Sequence, residues 1–403
     1  MANERQVTRQ VVIHTTPELA FEALSRASEL REWFCDEARS DLRTGGRFEV
    51  RWNTGYRVEG RYTAVEAPRR VAFTWQGSGE PAETAVEATV EPLPDGVQVR
   101  LVHSGYGAGA EWDRAVSESE EGWSRGLENL QSTLETGIDL RWARRPFLGI
   151  HLDSLDPQRA EKEGIAADRG IYLTAVVEGS PARAAGLEKG DVIVALGGIE
   201  TPGYNELSAA LGAHQAGDDV AVEIVRGRAR QTVQVILGQR ATPEVPGGAE
   251  ELGSRLAELY HEGDAAWMAA LEGLSDEEAG RRPAAGEWSA KEVLIHLSIV
   301  ERDQQCYLGV IALEGWLDTG LANPSAIPGR MAAVLSVDPA LDDLVDRFTT
   351  DEAETVAFLR GLPDETAVHK ARFRRIATFM LGLPEHTREH AEQIKATIAA
   401  VRG

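Results

Sequence analysis

EWSAKEVLIHLSIVE (287–301) and PEHTREHAEQIKATIAA (384–400) decide the reading of the C-terminal part of this chain. Both carry helical periodicity, and in the second His386 and His390 stand four residues apart, on one face of a helix. Two imidazoles presented to one point are half of a metal site. His296 sits in the first stretch among Val293, Leu294, Leu297 and Ile299, on a stripe that should be buried, and a buried histidine needs a partner. A bundle that packs the two helices together supplies it as a third ligand. Three neutral imidazoles with a fourth position open suit a divalent ion, Zn²⁺ foremost, with Ni, Fe or Mn also compatible. Glu385 and Glu389 adjoin the pair in sequence, but positions i−1 point about 100° away, so they are not expected as ligands. His261 and His369 read as surface residues.

Working outward, residues 249–403 read as four helices: 250–274, a second opening after Ser289 and running to about 313, a third over 340–362 and a fourth over 374–401. Ser289 with Glu292 three residues on forms a capping box. Pro384 either kinks the fourth helix or opens its last part. The long connection GWLDTGLANPSAIPGR (315–330) allows a crossover. GEWSAKEVLIHL followed much later by EHTREHAEQI resembles the DinB-like family of four-helix bundles over this whole segment. That resemblance implies a divalent-metal site at His296, His386 and His390, and activities such as metal-dependent thiol transfer, isomerisation or hydrolysis.

Two breaks divide the rest: GIDLRWARRPF (137–147), and RATPEVPGG (240–248), rich in Pro and Gly. The expected domains are therefore 1–140, 146–240 and 249–403, about three for 403 residues. No internal repeat or low-complexity tract is evident. In the first domain an alternating strand, Val7 to His14, precedes TTPELAFEALSRASELREWF, where Thr16 can cap a helix starting at Pro17. Strands follow in RFEVRWN, YRVEGRYTAVEA, RVAFTWQ and TAVEATVEPLPDGVQVRLVHSG, with turns at Gly45-Gly46 and Pro94-Asp95-Gly96. A last amphipathic helix spans about 115–136. This order, with the strings REWF, TGGRFEV, HSG and EGWSRGLENL, resembles the SRPBCC (START-like) superfamily, in the branch named for an activator of a heat-shock chaperone ATPase. The resemblance implies a helix-grip fold around a cavity for a small apolar ligand. Trp33, Phe34, Trp52, Trp75 and Trp123 read by themselves as core filling, and His103 as a hydrogen-bonded structural residue.

The middle domain combines short strands, a Gly-rich turn and one helix, Asn205 to His214, in a small partly open barrel. EGSPARAAGLEKGDVIVALGG closely resembles PDZ domains of the HtrA type, from about Pro146 to Leu237. By that resemblance Phe147, Leu148, Gly149 and Ile150 form the loop that receives a peptide's C-terminal carboxylate, the peptide adding a strand to the sheet. Such domains usually accompany a serine protease, yet no protease domain and no Ser/His/Asp set is apparent.

Acidic residues outnumber basic ones, 65 to 42, a formal charge of −23. Residues 1–140 carry 24 acids against 15 bases and residues 249–403 carry 27 against 15. No segment is basic, which argues against a phosphate backbone as partner. Cys35 and Cys306 lie in different domains without metal-ligand spacing and read as free thiols of a reduced compartment. No apolar run approaches a membrane span. The expectation is thus a multidomain α+β cytoplasmic protein: START-like helix-grip domain, PDZ barrel, then all-α bundle. It is either a metal-dependent transferase or hydrolase or a non-catalytic ligand-sensing adaptor in which the metal is structural.

Overall fold

The computed structural model describes residues 5–239, 243–314 and 326–403. Residues 240–242 of the second break and 315–325 of the long helix connection lie outside them. The chain forms two compact units, Met1–Ile138 with Pro243–Gly403, and Asp139–Thr242.

In the first unit, β1 (Arg5–Ile13), β2 (Glu37–Ser40), β3 (Arg47–Arg51), β4 (Arg57–Glu66), β5 (Arg70–Gly77), β6 (Thr84–Leu93) and β7 (Gly96–Tyr106) make an antiparallel sheet. Its order is β1-β7-β6-β5-β4-β3-β2. The β6–β7 hairpin closes at Leu93 opposite Gly96, around the expected Pro94-Asp95 turn. The stretch after Pro17 breaks at Arg26, whose backbone is extended, into α1 (Pro17–Ser25) and α2 (Ala27–Trp33). Thr16 caps α1, its hydroxyl accepting from the Leu19 N–H at 3.3 Å. Helix α3 (Ala110–Thr136) starts one turn earlier than its apolar pattern announces, because Glu111 and Asp113 complement the positive end of the helix. Its stripe of Ala115, Trp123, Leu127 and Leu130, spaced by multiples of a helical turn, is buried in the core shared with the sheet.

The same unit holds α5 (Ala249–Leu271), α6 (Ala290–Glu314), α7 (Leu341–Arg360), α8 (Lys370–Met380) and α9 (Leu383–Arg402). The capping box opens α6: Glu292 N–H donates to the Ser289 hydroxyl at 3.2 Å and Ser289 N–H to the Glu292 carboxylate at 2.9 Å. Pro384 opens a separate helix rather than kinking one, with Leu381 and Gly382 ending α8. Helices α6 and α7 run in the same direction, since Ser298 and Arg302 reach Asp351 while Glu301 and Gln305 meet Thr355. Parallel neighbours joined in sequence require the crossover. Helices α5 and α7 are antiparallel, with Ser254 beside Arg360 and Trp267 against Phe348.

A polar layer separates two apolar clusters of this bundle, one around Trp267, Leu294 and Phe348, the other around Leu256, Ile311 and Leu359. Tyr260 and Thr355 donate to Glu301 at 2.7 and 2.6 Å, and Arg302 donates to Asp351 at 2.8 Å. Glu352 is only 3% exposed. Burial, then the neighbouring Asp264 and Glu301, push its pKa up to about 10. The folded chain therefore keeps a proton that the unfolded chain releases above the ordinary 4.5. Stability from this group is complete below pH 4.5 and is lost as pH rises toward 10. Glu352→Gln keeps the neutral shape, so denaturant titration at pH 9 should find the variant more stable than the wild type by several kcal/mol, with about 6 kcal/mol as the upper bound that the raised pKa sets. At pH 4.5 the two should converge; parallel curves would show that Glu352 ionises freely.

The second unit is built from β8 (Pro146–Phe147), β9 (Ile150–Ser154), β10 (Ile171–Val176), β11 (Val192–Leu196), β12 (Ile199–Glu200), β13 (Asp219–Arg226), β14 (Ala229–Ile236) and β15 (Gly238–Gln239). The main sheet is ordered β14-β13-β11-β10-β9 with β12 on β11, and β15 pairs with β8. Helix α4 (Tyr204–Gly212) buries Leu207 and Ala210 against this core. The barrel is not closed, and β9 is left as an edge strand.

Candidate functional site

Helix α6 is buried on every face from Lys291 to Ile299. His296 therefore has no route to solvent by rotating about the helix and is 9% exposed. Helix α9 presents His386 and His390 to the same point. His296 Nε2 lies 3.4 Å from His386 Nε2, and His390 Nε2 lies 3.1 Å from it. Among the described residues these three form the one group of histidine, cysteine or carboxylate side chains gathered closely enough to hold a metal.

The donor set fits a divalent ion. Two bonds of about 2.05 Å at the tetrahedral angle place their nitrogens roughly 3.3 Å apart, close to both observed separations. His390 Nδ1 stands 2.7 Å from the Gln393 amide oxygen. An oxygen can only accept, so the proton is on Nδ1 and Nε2 is left with its lone pair toward the cluster. Burial, then His390 and His386, lower the His296 pKa to about 4, and His386 is lowered by burial and by His390. At neutral pH both rings carry ligand-competent neutral forms. The buried His296 Nδ1 has no partner among the described residues.

Two further residues, both with local signals in the sequence, adjoin the cluster. Gln393 is one helical turn beyond His390, and Trp288 is the tryptophan of GEWSAKE. The Trp288 ring lies nearly parallel to His390 at 6.2 Å and 4.9 Å from His296, forming a wall of the site. Glu385 and Glu389 are exposed, and Glu385 is held by Arg388. His261 is exposed as expected. His369 is a correction: its side chain is 19% exposed, between Glu22 of α1 and Glu29 of α2, because α8 packs on α3 and brings its first residues to these carboxylates.

In the second unit Leu148, Gly149 and Ile150 lead into the edge strand β9. The Leu148 carbonyl accepts from Ala182 N–H at 2.8 Å, and the Gly149 carbonyl from Val177 N–H at 2.9 Å and the Ser180 hydroxyl at 3.2 Å. With both carbonyls turned inward, the N–H groups of Leu148 and Gly149 have no hydrogen-bond partner among the described residues. Gly149 has φ +80°, and a Cβ there would sit 2.2 Å from Ser180 Cβ, so glycine is required.

In the helix-grip core the Phe34 and Trp123 rings stack at 5.3 Å, with Trp52 at 5.1 Å and Trp75 at 6.3 Å from Phe34. Trp123 donates to His103 Nδ1 at 3.1 Å, so His103 Nε2–H donates to Thr84 at 2.7 Å. Burial lowers this imidazole's pKa to about 3. His103 is a neutral structural link, as its strand position implied.

Three family models match the chain: Activator of Hsp90 ATPase homolog 1-like protein over residues 14–135, PDZ domain over 146–237 and DinB superfamily over 259–394. A putative serine protease HhoB of Synechocystis is 28% identical over 122 residues, 28% of this chain and 29% of that protein. A probable periplasmic serine endoprotease DegP-like of Chlamydia trachomatis is 32% identical over 118 residues, 29% of this chain and 24% of that protein. The chain thus spans less than a third of the length of these relatives. Among solved structures, the Aha1 dimer of Colwellia psychrerythraea is 20% identical with a TM-score of 0.29, covering 32% of this chain and 96% of that one. An HSP90 activator of Plasmodium falciparum is likewise 20% identical, with a TM-score of 0.28, covering 32% and 95%. No helix of the described residues is long and apolar enough to cross a membrane. The chain carries an Hsp90-ATPase-activator-like START domain, a PDZ domain and a DinB superfamily domain in one polypeptide.

Proposed function

We propose that the DinB-like domain is a divalent-metal centre in which His296, His386 and His390 hold Zn²⁺, and that the chain is a metal-dependent transferase or hydrolase whose other domains capture ligands. The observation that carries this reading is the convergence of three Nε2 atoms at 3.1 and 3.4 Å with the His390 tautomer set by Gln393. A three-histidine site leaves a position at which a bound thiol or water is acidified toward neutral pH. The chain's own residues then position: Gln393 orients His390, and Trp288 walls the site. No carboxylate belongs to the histidine cluster among the described residues. A thiol acidified at that position would release its proton to solvent, which favours thiol transfer over base-assisted hydrolysis. The same observation supports a second reading, a ligand-sensing adaptor with a structural metal. Elemental analysis of protein from metal-replete cells should find about one divalent ion per chain, and a thiol-dependent activity screen with and without chelator separates the two readings. Far less than one ion per chain rejects both.

Gln393→Leu removes the acceptor for His390 Nδ1. Metal affinity should drop about 10- to 100-fold, measured by competition with a chromophoric chelator, while Gln393→Glu should retain or exceed wild-type affinity. Equal affinities for Leu and Gln would sink the tautomer argument.

The PDZ domain is assigned a peptide's free C-terminus, through the unpartnered N–H groups at Leu148 and Gly149 and the open edge of β9. The helix-grip domain is assigned a small apolar ligand. If that assignment holds, hydrophobic fluorophores or fatty acids should raise its melting temperature in proportion to the logarithm of ligand concentration. No shift across a panel would mean that Trp33, Trp75 and Trp123 simply fill the interior. Neither nucleic acid nor membrane is a proposed partner. We place the protein in the cytoplasm on its low cysteine content, two in 403 residues.

A further inference from the structure

Helix α8 and the residue before it read HKARFRR (369–375), the densest basic run in an acidic chain. The charged side chains of this run are directed at the helix-grip part of the same compact unit. Arg372 donates to Glu29 at 2.6 Å, His369 lies 3.4 Å from the same carboxylate, and Arg375 meets Glu32 at 2.8 Å. Glu29 and Arg372 are 11% and 12% exposed in their side chains, so this pair is largely withdrawn from water. Burial alone raises the Glu29 pKa, yet the hydrogen bonds and charges of His369 and Arg372 outweigh it and hold the carboxyl below its ordinary range. Lys370 and Arg374 take the last carbonyls of α3, Glu135 at 2.7 Å and Thr136 at 3.3 Å, where the helix leaves acceptors unsatisfied and its dipole attracts cations. The backbones also touch: a Cβ on Gly137 would come 2.4 Å from the Lys370 carbonyl.

The two ends of this seam lead to different sites. Helix α2, which supplies Glu29 and Glu32, ends in Trp33, and the adjoining Phe34 stacks on Trp123 in the aromatic core. The other face of α8 buries Phe373, Ile376, Ala377 and Met380 in the bundle core. Two residues then join α8 to α9, where His386 follows six positions after Met380. A helix held by ion pairs on one face and by close packing on the other moves as a rigid piece or not at all.

We propose that α8 is a coupling element, through which occupancy of the three-histidine metal centre and the packing of α2 with its aromatic neighbours bias each other across the Glu29/Glu32–Arg372/Arg375 seam. This inference rests on the metal reading given above. Coupling of this kind is reciprocal: metal binding tightens α2, and loosening the seam weakens metal binding by the same factor.

The test uses the full chain, stripped of metal by chelation, with Zn²⁺ alone as probe. Hydrogen exchange followed by mass spectrometry should show slower exchange on Zn²⁺ addition in α9 and also in residues 27–34, the latter by at least about threefold. The neutral pair Glu29→Gln with Arg372→Gln removes the more central ion pair of the seam from both sides at once, while Arg375–Glu32 stays in place and His369 keeps Glu22 at 3.8 Å. In that variant Zn²⁺ should still protect α9 but no longer residues 27–34, and Zn²⁺ affinity should fall about three- to tenfold. If Zn²⁺ binds the wild type and protects α9 while residues 27–34 exchange as before, the coupling is overturned and the metal reading stands. If Zn²⁺ does not bind, both fall. The wild-type comparison decides by itself, so a variant that fails to fold does not leave the question open.

Discussion

His390→Ala should lower Zn²⁺ affinity by on the order of a hundredfold to ten-thousandfold, because the proposed three-histidine shell would lose one of its three protein bonds and no other described side chain belongs to the cluster. Isothermal titration or competition with a chromophoric chelator measures this directly. Glu389→Gln is the matched control. Its side chain is one residue away in sequence but exposed and outside the cluster, so affinity should change less than about threefold. Acid should release the metal as well. The lowered pKa of His296, about 4, means that protons compete with the ion at this ligand only well below neutrality. Wild-type affinity in the His390 variant would show that the convergence of the rings is packing alone.

The second large effect is expected in the PDZ domain. A peptide selected from a C-terminal library should bind in the roughly micromolar range, about 8 kcal/mol. It should lose at least about tenfold when its terminus is amidated, because the Leu148 and Gly149 N–H groups then face no anion. Amidation changes only the peptide, so folding of the protein is not at issue. Gly149→Val should abolish binding and cost stability besides. A β-branched residue is strained at φ +80°, and its Cβ meets Ser180 at 2.2 Å, where backbone and not a flexible chain end must move. Equal binding of free-acid and amidated peptides, measured by fluorescence anisotropy, would remove the carboxylate site and leave the domain as a spacer.

What could be read from the residues follows the range of the interactions concerned. The Thr16 cap, the Ser289–Glu292 box, the Pro94-Asp95 hairpin and the His386/His390 pair are all set by atoms within four residues of each other, and all four stand in the structure. The burial of His296 was legible too, since an unbroken apolar setting on a helix leaves few polar exits. By contrast, the split at Arg26 was hidden: TTPELAFEALSRASELREWF has helical propensity throughout, and at the break the Ser25 carbonyl accepts from Ser40 and Tyr62, fifteen and thirty-seven residues on, in place of continuing the helix.

His369 and the basic run behind it show the same limit more strongly. On a helix, a row of Lys and Arg opposite Phe373 and Ile376 has the appearance of a solvated face, and the acids that neutralise it lie far away in the chain, Glu29 being 343 residues before Arg372. The parallel course of α6 and α7, the polar layer around Glu301 and Glu352, and the Trp288 wall over the histidines are likewise products of which helices become neighbours. Sequence by itself determined the helix caps and the His386/His390 pair, because local geometry and periodicity encode them, and its resemblances to known families carried the three domain types. Tertiary structure alone decided that the three imidazoles converge to about 3 Å, that Gln393 selects the tautomer of His390, and that the basic face of α8 meets Glu29 of α2, because these depend on long-range packing that no local pattern specifies.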